Sequence, residues 1–183
     1  MFRKVSVTFE RLLQLQSTLI CELKVKNIHQ VPKINKAVVY SGLNYKQTNV
    51  SDLRLCVKLD LQLITGSKVA YSKAKTTIAN FNIKRGDTIG YKVTLRGVRL
   101  YSFLDKLIAV ALPKAKSFCG LKLKSFDYNN NITFGLSDYS VFSEETNSVV
   151  ASPLGMNVTL HLEAKCLGHS VLLLQAIGFN VYE

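Results

Sequence analysis

Two hydrophobic periods follow each other in residues 88–113, TIGYKVTLRGVRLYSFLDKLIAVALP. Over residues 88–96 the apolar side chains occupy every second position, which predicts a β-strand with one buried face. Over residues 99–112 they recur with the i, i+3, i+4 and i+7 spacing of an amphipathic helix, and we expect Pro113 to stop that helix. This segment therefore predicts a half-buried strand followed by a helix.

The rest of the chain mixes the same two kinds of element. Four more strands are predicted, over residues 34–41 and 68–72 and, from alternating residues, over 132–136 and 157–164. A first helix is predicted over residues 5–25, and a last helix over residues 167–177 that ends at Gly178. This mixture predicts an α+β fold of two layers, an antiparallel sheet with helices packed on one face.

The length and hydropathy of the chain indicate how many domains it forms and whether it has a transmembrane helix. Its 183 residues fit one domain, with an N-terminal helix over residues 1–26 and an extended basic loop over residues 73–87. The longest apolar run, residues 107–112, is far shorter than the ~18 residues of a membrane-spanning helix. We therefore expect no transmembrane helix.

Residues 50–65 can be interpreted in two ways. Leucine or valine stands at every second position across most of this segment, which taken alone is the period of a strand. Leucine, however, is a helix former, Asn49 or Ser51 can cap the start of a helix, and Gly66 can end it in a left-handed conformation. We predict a helix.

The chain is strongly basic, and its charge is unevenly distributed. It has 24 lysines and arginines against 12 aspartates and glutamates, which gives a net charge of +12 and a pI of about 9.6. Residues 1–100 have a net charge of +13 and residues 101–124 of +4, whereas residues 125–183 have a net charge of −5. A pI above ~9 is typical of nucleic-acid-binding proteins, and an anionic membrane surface is the next candidate. We expect a polyanion on the first two-thirds of the chain, while the acidic remainder faces solvent or a basic protein.

Residues that usually perform catalysis or bind metals form no recognisable motif. The four cysteines are far apart and lack a Cys-x-x-Cys pair, which argues against a zinc ribbon or a redox site. Four potential ligands are close in sequence: His161, Glu163, Cys166 and His169. The first two belong to a predicted strand and the others lie beyond it, so we expect no metal there. Because paired carboxylates and a phosphate-binding loop are not evident either, we expect no enzyme and no cofactor, with an RNA-acting enzyme as the competing hypothesis.

Two polar features are candidates for RNA binding. The polar face of the strand over residues 88–96 consists of Thr88, Gly90, Lys92, Thr94 and Arg96. Phosphates and 2′-hydroxyls require such donors, and Gly90 is expected to leave room for RNA to approach. The loop over residues 73–87 has four cations and is expected to become ordered on RNA, with Phe81 either stacked on a base or anchored in the core. An ordinary solvated strand face and a lysine-rich surface loop are the alternatives.

Several stretches resemble one protein family. They are ITGSKVAYSKAKTTIANFNIKRGDTIGYKVTLRGVRLYSFLDKLIAVALPK at residues 64–114, NIHQVPKINKAVV at 27–39, KSFD at 124–127 and, more weakly, LGMNVTL at 154–160 and AIGF at 176–179. Together they resemble the L-five family of large-subunit ribosomal proteins, the universal 5S-rRNA-binding proteins of the central protuberance. The resemblance implies a two-layer α+β fold and a structural role in translation.

The resemblance also implies partners and contact residues. In the family, contacts with 5S rRNA and large-subunit rRNA come from the strands that match VPK and VTLRG. Joined to the predicted cationic face, they give an rRNA-binding set of Lys33, Lys36, Ser67, Lys68, Lys92, Thr94, Arg96 and Arg99. The family's long loop reaches P-site tRNA, which here implies Lys73, Lys75, Thr76, Thr77, Lys84 and Arg85. Further implied partners are neighbouring central-protuberance proteins and, across an intersubunit bridge, small-subunit protein S-thirteen.

The chain departs from the family pattern at several positions, and two of these are expected RNA contacts. Tyr40 stands where the family usually has Asn, and Ser67 where it usually has Gln, although both are expected RNA contacts. An alternative is therefore a central protuberance with altered or absent 5S rRNA, in which the protein holds other rRNA or proteins. Divergence of this type, with many Asn and Lys residues, predicts a mitochondrial ribosome in the matrix, with the plastid as the alternative.

Overall fold

The computed structural model describes residues 19, 20, 23, 27–43, 50–115, 118–142 and 155–182. The strands in these ranges are β1 (Lys33–Gly42), β2 (Ala70–Lys73), β3 (Thr88–Leu95), β4 (Leu121–Lys122), β5 (Ile132–Leu136), β6 (Met156–Glu163) and β7 (Val181–Tyr182). The main helices are α1 (Val50–Thr65), α2 (Val98–Lys106) and α3 (Leu167–Ile177). Short 3-10 turns occupy Ile28–Gln30, Ala79–Phe81, Leu123–Ser125 and Tyr139–Phe142. Within the described ranges, no helix has the length and apolarity needed to cross a membrane.

Five strands form one antiparallel sheet in the order β2-β3-β1-β6-β5. β1 is central, and its Val39 lies opposite Val93 of β3 on one side and Val158 of β6 on the other. All three valines are buried, because alternate residues of neighbouring strands point to the face that the helices cover. The strands β4 and β7 form a separate parallel pair. The predicted α+β fold, an antiparallel sheet with helices on one face, is confirmed.

The core lies between the sheet and the helices. Its largest fully buried side chains include Leu61, Leu95, Phe103, Leu104 and Leu160. Leu19 is only 3% exposed and belongs to this core, while Ile20 and Leu23 pack against it. These three helical residues are the described part of the helix predicted over residues 5–25, and the remainder of that prediction lies outside the described residues.

The ambiguous segment at residues 50–65 is a helix, as predicted. Gly66 has φ +60°, and its N–H donates to the carbonyl of Gln62 at 2.8 Å, which ends the helix in the left-handed conformation. Within the helix, Val57 and Leu61 are buried in the core. The alternating leucines are therefore distributed around the helix rather than along one face of a strand.

Other boundaries show where local patterns mislead. The strand predicted over residues 68–72 is Ala70–Lys73, so Lys68 lies outside it. The prediction that Pro113 stops the helix is wrong, since α2 continues through a π-helical segment, Leu107–Ala111, into a last turn at Leu112–Lys114. The π segment resets the hydrogen-bond register, so Pro113 falls at the start of that turn, where its missing N–H is tolerated.

Candidate nucleic-acid interface

The face of the five-stranded sheet opposite the helices, here called the open face, is mostly polar. One cross-strand row on it consists of Lys92, Tyr40, Asn157 and Gly135. The next row consists of Thr94, Val38, Thr159 and Thr133. Four strands thus contribute side chains to one continuous surface, because every second residue of each strand points outward.

The cations of the open face are concentrated near β3. Lys92 and Thr94 are exposed on β3, and Arg96 is exposed directly after it. Lys36 is partly buried on β1, next to β3 in the sheet. The structure therefore brings together three cations and a hydroxyl, the donors that phosphate and ribose oxygens require.

Lys33 and Glu163 form an ion pair at the far end of β1 and β6. The Nζ atom of Lys33 lies 3.2 Å from Oε2 of Glu163, and both side chains are more than 60% exposed. Glu163 is the one carboxylate among the described residues of the five strands. Because exposed ion pairs contribute little stability, a phosphate can compete with Glu163 for Lys33.

His161 is opposite Lys36 in the register between β6 and β1. Burial lowers the pKa of the His161 imidazole, and the neighbouring Lys36 ammonium lowers this pKa further. The ring is therefore neutral at neutral pH, when it can donate or accept a hydrogen bond but adds no charge to the open face.

Tyr40 fills the space above Gly90. A Cβ atom on Gly90 would lie 2.6 Å from Tyr40 Oη, 2.9 Å from its Cζ and 2.7 Å from the carbonyl oxygen of Ser41. Gly42, opposite Gly90 in the register, lies beside the same ring, with 3.8 Å from its Cβ position to Tyr40 Cε1. The prediction that Gly90 leaves room for RNA is therefore wrong, because a side chain from the neighbouring strand occupies that room.

Three residues of the predicted rRNA-binding set lie at helix ends rather than on the open face. Ser67 and Lys68 follow the end of α1, and Arg99 is in the first turn of α2. The Nη1 group of Arg99 donates to Ser67 Oγ at 3.4 Å, and Lys68 and Arg99 are exposed. The predicted set thus forms two groups, one on the open face and one at these helix ends.

Residues 74–87, here called the arm, form a hydrogen-bonded hairpin between β2 and β3. At its base the N–H of Ala74 donates to the carbonyl of Asp87 at 2.8 Å. Farther out, the N–H groups of Ile78 and Ile83 donate to each other's carbonyls at 2.9 and 3.2 Å. A 3-10 turn closes the tip. The arm therefore has a backbone path set by its own hydrogen bonds.

Most side chains of the arm are exposed to solvent. Phe81 at the tip is 63% exposed, so the alternative that it anchors the arm in the core is wrong. The predicted tRNA-contacting residues Lys73, Lys75, Thr76, Thr77, Lys84 and Arg85 are all exposed. Thr77 Oγ1 also accepts a hydrogen bond from the N–H of Arg85 at 3.1 Å, which joins the two sides of the arm. The structure thus presents the three cations of the arm, Lys73 at its base and an aromatic ring on one exposed hairpin.

The potential metal ligands near the C-terminus are not gathered. His161 and Glu163 lie on the open face, whereas Cys166 precedes α3 and His169 lies in its first turn. Across the part of the chain that the structure describes, no three His, Cys, Asp or Glu residues are grouped as a metal site.

Reasoning from the sequence missed the half of the open face that lies on β5 and β6. Asn157 is exposed, and the hydroxyls of Thr133 and Thr159 are 3.0 Å apart. Alternation indicated a polar side for each of these strands. Only the strand order shows that these polar sides continue the surface that carries Lys92.

Comparison with known proteins matches both the N-terminal and the C-terminal part of the chain to one family. Residues 27–84 match the family model described as ribosomal protein L5, and residues 88–181 match the model for the C-terminus of the same ribosomal family. The large ribosomal subunit protein uL5 of Thermosipho africanus is 39% identical over 166 residues, which is 91% of each chain. That of Thermotoga sp. strain RQ2 is 42% identical over 160 residues, 87% of this chain and 86% of its own. The large ribosomal subunit protein uL5c of Paulinella chromatophora is 39% identical over 164 residues, 90% of this chain and 91% of its own.

Proposed function

Since this chain belongs to the ribosomal protein L5 family and is a non-catalytic constituent of the large ribosomal subunit, we propose that it binds 5S rRNA and adjoining large-subunit rRNA in the central protuberance. The open face is the main contact surface in this proposal, and the helix-end group of Ser67, Lys68 and Arg99 is a second one.

One observation carries this proposal: the open face combines exposed cations and hydroxyls on adjacent strands. Lys92, Thr94 and Arg96 are exposed along one strand and its end, and Glu163 is the one carboxylate in the described strands of the sheet. The cations of such a surface attract phosphates, and the repulsion from Glu163 is reduced by its ion pair with Lys33. Because His161 is neutral, the attraction for phosphates comes from the lysines and arginines of the open face.

The arm has a different proposed partner, the P-site tRNA. Its cations stand on a hairpin that extends away from the sheet, with no described side chain over residues 75–82 buried. Phosphate contacts from Lys84 and Arg85 would be independent of sequence, and the exposed ring of Phe81 can stack on a base. Such contacts suit a ligand that must be exchanged during translation.

A second candidate is a central protuberance with altered or absent 5S rRNA, in which this protein holds other rRNA or proteins. Tyr40 favours it, because the family usually has Asn at this position, whereas here the Tyr40 ring lies against Gly90 and Gly42. Ser67 favours it too, since its hydroxyl is short and accepts a hydrogen bond from Arg99.

The remaining proposals concern location and the small subunit. We propose that the protein works in a mitochondrial ribosome in the matrix, with the plastid ribosome as the alternative, on the strength of its divergence. The net charge of −5 over residues 125–183 supports a contact with the basic protein S-thirteen across the intersubunit bridge.

Arg96→Ala in the full chain tests the RNA contact. Binding to 5S rRNA should weaken about ten-fold, and the slope of log affinity against log salt should fall by about 0.7–0.9, since one phosphate contact is lost. Filter binding over a range of salt concentrations measures both quantities. Lys122→Ala removes an exposed lysine on β4, outside the five-stranded sheet, and should change neither.

Unchanged affinity and slope in Arg96→Ala would contradict the proposed contact surface. RNA cross-linked to the protein in native particles distinguishes the two candidates: 5S rRNA supports the first, and other rRNA alone supports the second.

A further inference from the structure

The outward side of α1 exposes an apolar stripe that lies outside the described core. Leu55, Leu59 and Leu63 are 56%, 47% and 51% exposed. Their i, i+4, i+8 spacing places them on one side of the helix over about 12 Å. Val57 and Leu61, on the opposite side, are fully buried. The helix α1 is therefore apolar on two sides, and the core covers only one of them.

An exposed tyrosine extends this stripe toward the sheet. The Nζ atom of Lys58, between Leu55 and Leu59 in sequence, lies 5.6 Å from the centroid of the Tyr71 ring. Tyr71 is 49% exposed and packs edge-on against Tyr91 with 5.6 Å between ring centroids. Because β2 is an edge strand, no further strand of the described sheet borders Tyr71. We call Leu55, Leu59, Leu63 and Tyr71 the outer patch.

The segment that carries the outer patch has a net positive charge. Residues 50–73 contain four basic side chains, those of Arg54, Lys58, Lys68 and Lys73, against two carboxylates, Asp52 and Asp60. Asp60 is only 4% exposed and so offers little negative charge to a partner. Lys58 lies beside the Tyr71 ring, so a molecule that approaches the outer patch meets leucines next to an ammonium group.

These two properties together select the partner. RNA is unsuitable, because burying leucines against phosphates and riboses removes polar groups from water without giving them hydrogen bonds. A second copy is unsuitable, because a symmetric contact centred on Leu59 would bring the two Lys58 ammonium groups together. A polypeptide with apolar side chains and flanking carboxylates satisfies both properties.

We propose that the outer patch docks an amphipathic helix of a neighbouring protein in the large subunit, with Asp or Glu beside its apolar stripe. A row of leucines at i, i+4 and i+8 forms a ridge, and such a ridge packs into the groove between the side-chain rows of another helix. Lys58 then pairs with a carboxylate of that helix at the edge of the contact.

A photo-reactive benzoylphenylalanine at position 59 of the full chain, irradiated in native large subunits, tests this docking. We expect a cross-link to another protein, within a peptide that has apolar residues every three or four positions and adjacent Asp or Glu. A cross-link to rRNA, to a second copy or to residues 1–18 of the same chain would overturn the proposal, as would no cross-link. The same probe at position 94 on the open face should reach RNA, and its failure would count against the proposed function alone.

Leu59→Asp gives a quantitative test. Salt-washed subunits should retain the cross-linked protein about ten-fold less well, while the variant itself still enters the subunit. Leu172→Asp is the matched control, since it places the same charge on a 37% exposed leucine of α3, and it should retain that protein fully. Undiminished retention with Leu59→Asp would overturn the proposal.

Lys58 variants test the same contact without placing a charge in the stripe. Lys58→Glu should lower retention of the cross-linked protein several-fold, and Lys58→Arg should preserve it. Equal retention in these two variants would show that the positive charge of Lys58 does not contribute to binding of the partner, and would contradict the proposed acidic flank of the partner helix.

Discussion

The open face of the sheet and the outer patch of α1 belong to opposite layers of the protein and differ in chemistry. The open face exposes Lys92 and Thr94 on a strand whose apolar residues are buried on the other side. The outer patch instead exposes leucines on a helix that buries others. Both segments have nearly alternating sequences. In a strand, alternation separates polar from apolar residues, whereas in a helix it distributes the apolar residues around the axis.

This difference separates two kinds of recognition. A polar, cationic strand face suits phosphates and 2′-hydroxyls, and its affinity must fall with salt. An apolar helix face with a charged rim suits another protein, and its affinity depends on the fit of buried side chains. Changes at Phe103 and Gly90 test whether the two surfaces depend on each other, and a change at His161 tests the electrostatics of the open face alone.

The largest effect is expected from Phe103→Ala, in the core between both surfaces. Phe103 is 1% exposed and stacks on Phe142 with 6.2 Å between ring centroids. Its truncation should lower the free energy of unfolding by about 3–5 kcal/mol, because a large cavity remains. Urea denaturation measures the loss, and RNA binding and protein docking should be lost together. Phe81→Ala, at the exposed tip of the arm, should change stability by less than about 0.5 kcal/mol.

A smaller and more local effect is expected from Gly90→Ala. The new Cβ would lie 2.7 Å from the backbone oxygen of Ser41 and against the Tyr40 ring, so we expect a loss of about 1–3 kcal/mol. RNA affinity should fall while the outer patch keeps its partner, as filter binding and subunit retention would show.

Two controls sharpen the Gly90 test. Adding Tyr40→Ala should restore only part of the stability, because the contact with the Ser41 backbone remains. Gly168→Ala in α3 meets no atom within 4 Å and should leave stability unchanged or slightly raised. Full stability in Gly90→Ala would show that Tyr40 and Ser41 can move aside.

The smallest effect concerns pH and His161. Its pKa in the folded protein is below the ~6.5 of an unfolded chain, so the unfolded state binds more protons as the pH falls below about 6.5. Stability should therefore decrease on acidification and be insensitive to this group above about pH 7.5. Urea midpoints between pH 7.5 and 5.5 should decline less in His161→Gln than in the wild type. Parallel declines in the two proteins would exclude His161 as the cause.

Sequence patterns succeeded where the controlling interactions are local. The helix predicted over residues 167–177 has those bounds, because its hydrophobic residues and the terminal Gly178 act within a few residues of each other. They failed at Pro113, where a π-helical segment changes the register before the proline. They also failed at Gly90, whose free space depends on Tyr40 from another strand.

By itself, the sequence determined the kinds of element, the α+β class, the excess of positive charge and the cations of the arm. Periodicity and charge are properties of neighbouring residues, so they can be recognised before the chain folds. Only the tertiary structure decided that Lys92, Tyr40 and Asn157 form one row, and that Leu55, Leu59 and Leu63 remain outside the core. Both arrangements depend on which distant segments pair and pack. The hydrophobic periodicity of one segment does not show which other segments will lie beside it.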